Sequence, residues 1–259
     1  MGSNDGSGGG GGGSGGNVVT FKGQRCGGHS GTVRAICFSP LSPDTLLSAG
    51  AGDCVARVWD VTRGALRCTL SPVASGGGKA GGGGASTIYS CVLADDGCTA
   101  LTAGADAVLR LWDIRSGRCE RAIPGAERSA VHCVSLSPSA ATTAATASES
   151  GAVSAWDLSS GRRMWTLHPH AVGAQCRSVD YSPCGRWILS ASFDGSVAVT
   201  DASAWERRVV ASFLEHGGKA LQARWSPAAA ARPAGGKTRS PAPGLFASCS
   251  SDKTVKLWA

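Results

Sequence analysis

The sequence predicts an all-β protein built by repetition, and three observations carry that prediction. A string with a Trp-Asp pair recurs as "DCVARVWDVTRG" (53–64) and "DAVLRLWDIRSG" (106–117), and again, cut short, as "DKTVKLWA" (252–259). Alternating apolar runs are bounded by Ser-Pro and Asp-Gly pairs, which end strands and fix tight turns. No segment carries helical periodicity.

Alignment on the tryptophan gives five units: "VARVWD" ending at Asp60, "VLRLWD" at Asp113, "AVSAWD" at Asp157, "SVAVTD" at Asp201 and "TVKLWA" at Ala259. At a fixed offset upstream stand Asp53, Asp106, Ser150, Asp194 and Asp252. Each unit opens with a short strand. "VRAICFSP", "VHCVSLSP", "CRSVDYSPCG" and "LQARWSP" stop at Ser-Pro, while "IYSCVLADDG" stops at Asp-Asp-Gly. A small-residue strand follows, as in "LLSAGAG", "ALTAGA", "ILSASF" and "LFASCS". Units one to four continue past the endpoint into a fourth strand, for example "ALRCTL" and "RRMWTL".

As a set these motifs resemble the WD-repeat family, whose fold is a β-propeller of four-stranded blades around a channel. The resemblance covers 17–259 and implies a propeller with five recognisable blades. Endpoint spacings are 53, 44, 44 and 58 residues, against about 40–45 per blade in the family. The long intervals hold insertions at 73–86 and 228–243, neither apolar enough to hide another blade. Residues 1–16 are a Gly/Ser-rich tail, expected to be disordered. Unit five has no fourth strand, and the one unassigned strand-like segment is "NVVTFK" (17–22). The resemblance implies that Val18 to Phe21 close the ring beside Thr254 to Trp258. Seven blades are usual in the family, so a partial or fragment propeller is the alternative.

The resemblance also implies that the repeated residues are structural. A buried indole N–H needs an acceptor; in the family this is a Ser or Thr hydroxyl, which bonds a histidine, which bonds the turn aspartate. Unit five matches with His216, Ser248, Asp252 and Trp258. Unit four offers His170, Ser190 and Asp194, with Thr200 where the tryptophan belongs. Unit one keeps His29, Asp53 and Trp59, with Ala49 expected at the hydroxyl position. Units two and three supply Thr102, Asp106 and Trp112, and Thr146 and Trp156, without the histidine. A hydrolase would need one exposed nucleophile beside an oxyanion site. A set recurring in several units reads as stiffening of blades, and no catalytic residue is expected.

Function then falls to loops and the channel mouth. The resemblance implies that the residue after the first apolar position of each innermost strand points into the narrow face: Arg34, Tyr89, His132, Arg177 and Gln222, joined by Phe193 and Glu149. Two arginines and two aromatic rings suit an acidic or phosphorylated peptide segment, with Phe193 as an apolar anchor. The basic loop residues Arg232, Lys237 and Arg239, beside Ser240-Pro241, are a second phosphate contact to weigh.

Composition bounds the rest. The chain of 259 residues carries 25 basic against 18 acidic side chains, a net charge of +7, which favours acidic partners. No apolar run reaches membrane-spanning length. Eleven cysteines include no CxxC pair, and Cys37, Cys91, Cys133 and Cys176 fall in apolar strand runs. They read as buried hydrophobes of a reducing compartment, with no metal and no cofactor expected. The expectation is a non-enzymatic, intracellular scaffold, cytoplasmic or nuclear, binding other proteins and no small-molecule substrate. The alternative is a subunit of a nucleic-acid-associated assembly, chromatin or RNA-processing, touching nucleic acid only indirectly.

Overall fold

A computed structural model describes residue 20 and residues 27–72, 86–124, 126–203, 208–227 and 244–258. The 1–16 tail, most of the insertion at 73–86 and all of that at 228–243 lie outside the described residues. Within them run nineteen strands in five antiparallel sheets. Blade one is β1 (Val33–Phe38), β2 (Thr45–Gly50), β3 (Ala56–Asp60) and β4 (Ala65–Leu70). Blade two is β5 (Ile88–Leu93), β6 (Thr99–Gly104), β7 (Leu109–Asp113) and β8 (Arg118–Ile123). Blade three is β9 (Val131–Ser137), β10 (Ala140–Ser148), β11 (Val153–Asp157) and β12 (Arg162–Leu167). Blade four is β13 (Cys176–Tyr181), β14 (Trp187–Ser192), β15 (Val197–Asp201) and β16 (Val209–Phe213). Blade five has three described strands, β17 (Ala220–Trp225), β18 (Phe246–Ser250) and β19 (Val255–Trp258).

The turn before each third strand explains the recurring aspartate. Asp106, Asp194 and Asp252 each accept a hydrogen bond from a backbone N–H two residues on, the Asx arrangement that closes a tight turn. The next residue takes a positive φ in every blade: Cys54, Ala107, Gly151, Gly195 and Lys253. Two of the five meet that demand with glycine, which has no Cβ to clash.

The core lies between blades. Leu47, Ala56 and Val58 of blade one pack on Ile88, Cys91 and Trp112 of blade two, and similar clusters join blades two to three, three to four and four to five. A bulge early in the innermost strand recurs at Val33/Ala35, Ile88/Ser90, Cys176/Ser178 and Ala220/Gln222, and it sets the blades in register. The positions Ile88, Cys91 and Leu93 correspond to Val33, Ile36 and Phe38. The former are buried, whereas the latter are 47%, 64% and 54% exposed. At the other end Val255 and Leu257 are 73% and 74% exposed, although their counterparts Ala56 and Val58 are buried. Among the described residues, blade one's outer face and the β19 edge thus stand uncovered.

The expected closing segment, Val18 to Phe21, lies outside the described residues except for Thr20. Thr20 is in no strand and lines a cavity with His29, Val33, Leu46 and Trp59 on the open face of blade one.

Blade four lacks its tryptophan, and its neighbour compensates. Thr200 is fully buried there. Trp165 on β12, where blade one has Cys68 in the same register, joins the cluster between blades three and four with Tyr181 and Ile188. Cys91, Cys133 and Cys176 are buried free thiols, and burial pushes the Cys176 thiol above its usual range.

Candidate functional site

The repeated polar set is complete in blades one and five and has a different membership in each of the other three. In blade five the Trp258 indole donates to Ser248 Oγ at 2.9 Å, and His216 stands 2.8 Å from that hydroxyl and 3.1 Å from Asp252. Blade one is equally complete, which corrects the assignment of its hydroxyl position to Ala49. Trp59 donates to Ser48 Oγ at 2.7 Å, and His29 Nε2 lies 2.7 Å from the same oxygen. Ala49 points into the core shared with blade two. His29 Nδ1 then reaches Asp53 at 2.8 Å, and Arg57 adds an ion pair to that carboxylate.

Blade two joins Trp112 to Thr102 at 2.8 Å and pairs Asp106 with buried Arg110 at 2.7 Å. Blade three joins Trp156 to Thr146 at 3.0 Å. There the Thr146 hydroxyl donates to Glu127 at 2.8 Å, a residue that the sequence reading missed. Glu127 precedes β9 by the same interval as His29 precedes β1 and His216 precedes β17, and that offset was the available signal. In blade four His170 meets Ser190 at 2.9 Å, but Ser196 stands between it and Asp194, 2.6 Å from the ring nitrogen. The five hydroxyls, Ser48, Thr102, Thr146, Ser190 and Ser248, are at most 5% exposed. They are committed to structural hydrogen bonds and closed to substrate.

The channel mouth is where unspent chemistry gathers. Arg34, Tyr89, His132, Arg177 and Gln222 all line one cavity of about 630 Å³. Register places Leu221, and not Gln222, in step with Arg34, Tyr89 and Arg177, because the β17 bulge lies between Ala220 and Gln222. Leu221, 44% exposed, adds an apolar surface to the same cavity.

Four of these residues, with Phe193 and Lys219, form an arc of rings and cations. The Arg34 guanidinium stands 5.6 Å from the Tyr89 ring centroid, and Tyr89 lies 5.3 Å from the His132 ring. An Arg177 N–H group sits 3.1 Å from His132 Nε2, and its guanidinium lies 4.9 Å from Phe193. Lys219 caps the same phenyl ring at 4.6 Å. Each cation–ring contact is worth about 0.5–1 kcal/mol at an exposed site, so the arc holds its charges in place while leaving N–H donors for a ligand. Lys219 escaped the sequence reading because it lies just before its strand. The nearby carboxylate Glu149 accepts from the Gln175 amide at 3.3 Å. Burial, and then the Arg177 and Arg34 charges, hold His132 at about 4, so it is neutral at pH 7.

Beyond the mouth the channel changes character. A second cavity of about 480 Å³ is walled by Ile36, Leu93, Val134 and Leu136 and crossed by the Asp180–Arg224 ion pair at 2.9 Å. Among the described residues no group of three His, Cys, Asp or Glu is placed to hold a metal ion, and no helix is long and apolar enough to cross a membrane.

These blades, with an indole–hydroxyl pair in four of the five, define a propeller built from Trp-Asp repeats. The profile of the WD domain, G-beta repeat family matches residues 20–60, 81–113, 161–201 and 239–259. The matches span more than half of the chain, which belongs to the WD-repeat family. It is 26% identical over 250 residues to the nuclear distribution protein PAC1 of Arthroderma otae, covering 89% of this chain and 50% of the relative. It is 25% identical to the small ribosomal subunit protein RACK1y of Oryza sativa subsp. japonica, covering 68% and 49%. The chain spans about half the length of these relatives. A chain in the crystal structure of a mitotic checkpoint complex superposes with a TM-score of 0.70 at 20% identity, over 89% of this chain and 62% of that one; this likeness is one of fold. Proteins of this family are generally interaction scaffolds, and relatives include subunits of larger complexes.

Proposed function

We propose that this chain is a non-enzymatic scaffold inside the cell, cytoplasmic or nuclear, whose channel mouth takes up acidic or phosphorylated segments of partner proteins within a multiprotein assembly. The observation that carries this reading is the arc Arg34–Tyr89–His132–Arg177–Phe193–Lys219, three cations braced by rings, with Arg34, Tyr89, His132 and Arg177 lining one cavity. Opposite charges across an interface steer encounter and fix register, and Phe193 and Leu221 offer apolar anchorage beside them.

The test is charge reversal at the mouth. Arg34→Glu with Arg177→Glu should abolish capture of the main partner and leave the protein folded, with cooperative melting. Lys237→Glu with Arg239→Glu, in the insertion, is the control. Loss of the partner in the control and retention in the mouth variant would move the site to the insertion. A second reading, a subunit of a nucleic-acid-associated assembly, draws on the +7 charge and on the ribosomal relative. Partners that vanish from the capture after nuclease treatment would favour it.

A further inference from the structure

We infer that the mouth is a proton-linked oxyanion site, in which a doubly charged tetrahedral group seated between Arg34 and Arg177 draws a proton onto His132 and gains it as a further cation. The inference rests on the reading of the mouth as an acidic-segment site and specifies its ligand: a phosphate monoester carried on a peptide.

The geometry begins with the position of His132 on β9, between two neighbours. On one side the Tyr89 ring of β5 lies 5.3 Å away, with Arg34 of β1 stacked beyond it. On the other, Arg177 of β13 has one guanidinium nitrogen 3.2 Å from Nδ1 and 3.1 Å from Nε2. The groups facing the imidazole are thus two permanent cations and a phenol. Glu149, in the turn after β10, is spent on Gln175 and acts on Arg177. Lys219, ahead of β17, adds its charge across Phe193. Without a ligand this surround penalises a third positive charge, and burial penalises it further, which is why the imidazole is neutral.

A dianion reverses the balance. Placed within reach of Arg34 and Arg177 it cancels the field that keeps the proton off His132, and attraction replaces repulsion. His132 then holds two N–H donors instead of one. Near pH 5.5 about one proton is taken up from solvent for each dianion bound, falling toward none at about pH 8, and no other bond changes. A single carboxylate offers half the charge and a planar pair of oxygens. It therefore repays less of the cost of charging the imidazole, which gives the site a preference for phosphate esters over glutamate side chains.

Sulfate is the first probe, because it stays doubly charged across the working range and any proton uptake belongs to the protein. If the anion restores His132 to the ordinary imidazole value, sulfate affinity should rise about tenfold from pH 8 to pH 5.5. Isothermal titration in two buffers of different ionisation heat should count the proton directly. In His132→Gln sulfate should still bind, with no pH dependence and no proton uptake. A phosphoserine peptide should bind more tightly than its glutamate version to the natural protein. Binding that is equally strong at both pH values, or equal pH dependence in His132→Gln, overturns the proton linkage and leaves the mouth reading standing. Absence of both sulfate and phosphopeptide binding at every pH, or binding that survives Arg34→Glu with Arg177→Glu, overturns the mouth reading itself.

Discussion

Thr146 donates its hydroxyl hydrogen to Glu127 across 2.8 Å while accepting from the Trp156 indole at 3.0 Å. One buried carboxyl group therefore takes the station that histidine holds in blades one, four and five. Its chain has two bonds and not three, because no turn aspartate lies beyond it: Ser150 occupies that position and its hydroxyl meets Ser148.

This pair gives blade three a second buried hydrogen bond at Thr146 despite its missing histidine. Trp156→Phe leaves Thr146 without its donor and should destabilise by about 1–3 kcal/mol. Trp258→Phe, which strips the donor from Ser248 in the complete set of blade five, should cost about the same. In a Glu127→Ala background the cost of Trp156→Phe should shrink, since the two share the Thr146 hydroxyl. Denaturant titration of the four proteins decides it. Strict additivity would show that indole packing, and not the hydrogen-bond chain, sets the cost.

Much of this was legible in the sequence, for a physical reason. Strands with a period of two and turns closed by Asp, Gly and Ser-Pro leave local signatures, so the five units, and the indole–hydroxyl pairs of units two, three and five, could be placed from residues alone. Two misreadings arose where a position is fixed by pairing across strands, and a third where the search was for the wrong residue type. Ser48 and Ala49 differ by one residue on β2, and only the alignment of β2 with β3, Ser48 opposite Arg57, shows which points at Trp59. Leu221 and Gln222 exchange places through a bulge that the string "ALQARWSP" does not announce. Glu127 was invisible to a search for histidine, although its offset from β9 was in the sequence. Trp165 packing with Tyr181 and Ile188 between blades three and four is a relation between two blades, and no single repeat records it.

The Thr200 hydroxyl is buried without a hydrogen-bond partner. Leaving such a group unsatisfied costs about 1–3 kcal/mol, and the β-branched skeleton suits a strand whether or not it carries oxygen. Thr200→Val should therefore raise the melting midpoint, by an amount equivalent to about 1–2 kcal/mol. A lowered midpoint would mean that the hydroxyl has a partner in solution.

Among the described residues blade five ends at β19, and that uncovered edge offers a test of closure. Leu257 is 74% exposed and Val58, its counterpart in blade one, 1%. With β19 uncovered, Leu257→Ser should cost no more than about 0.5 kcal/mol, against about 2–4 kcal/mol for Val58→Ser. Equal costs would place a strand over β19, as the resemblance to closed propellers led us to expect for Val18 to Phe21.

Acid should weaken the fold in two stages, and the groups responsible differ in sign of charge. His170 is buried against Ser190 and Ser196; burial holds it at about 4 although Asp194 pulls the other way. In the unfolded chain the ring has its ordinary value of about 6.5. Its folded value is depressed, so the neutral form is the one the fold keeps. The contribution is complete above about pH 6.5 and is lost as pH falls from there toward 4. His132 acts in the same direction over the same window. Asp157 follows a lower course. Hydrogen bonds from the Ser159 and Ser160 side chains, aided by their backbone N–H groups, hold its carboxyl at about 2, below the unfolded value of about 3.9. Its contribution persists above about pH 4 and disappears as pH falls toward 2. Melting midpoints taken from pH 8 to pH 3 should decline in a first step between 6.5 and 4 and steepen below it. His170→Gln with His132→Gln should flatten the first step and leave the second, while Asp157→Asn should leave the first step and remove only its own share of the second, which Asp60, Asp113 and Asp252 also supply. A first step that persists in the double histidine variant would assign it to carboxylates and show that neither ring is kept neutral by the fold.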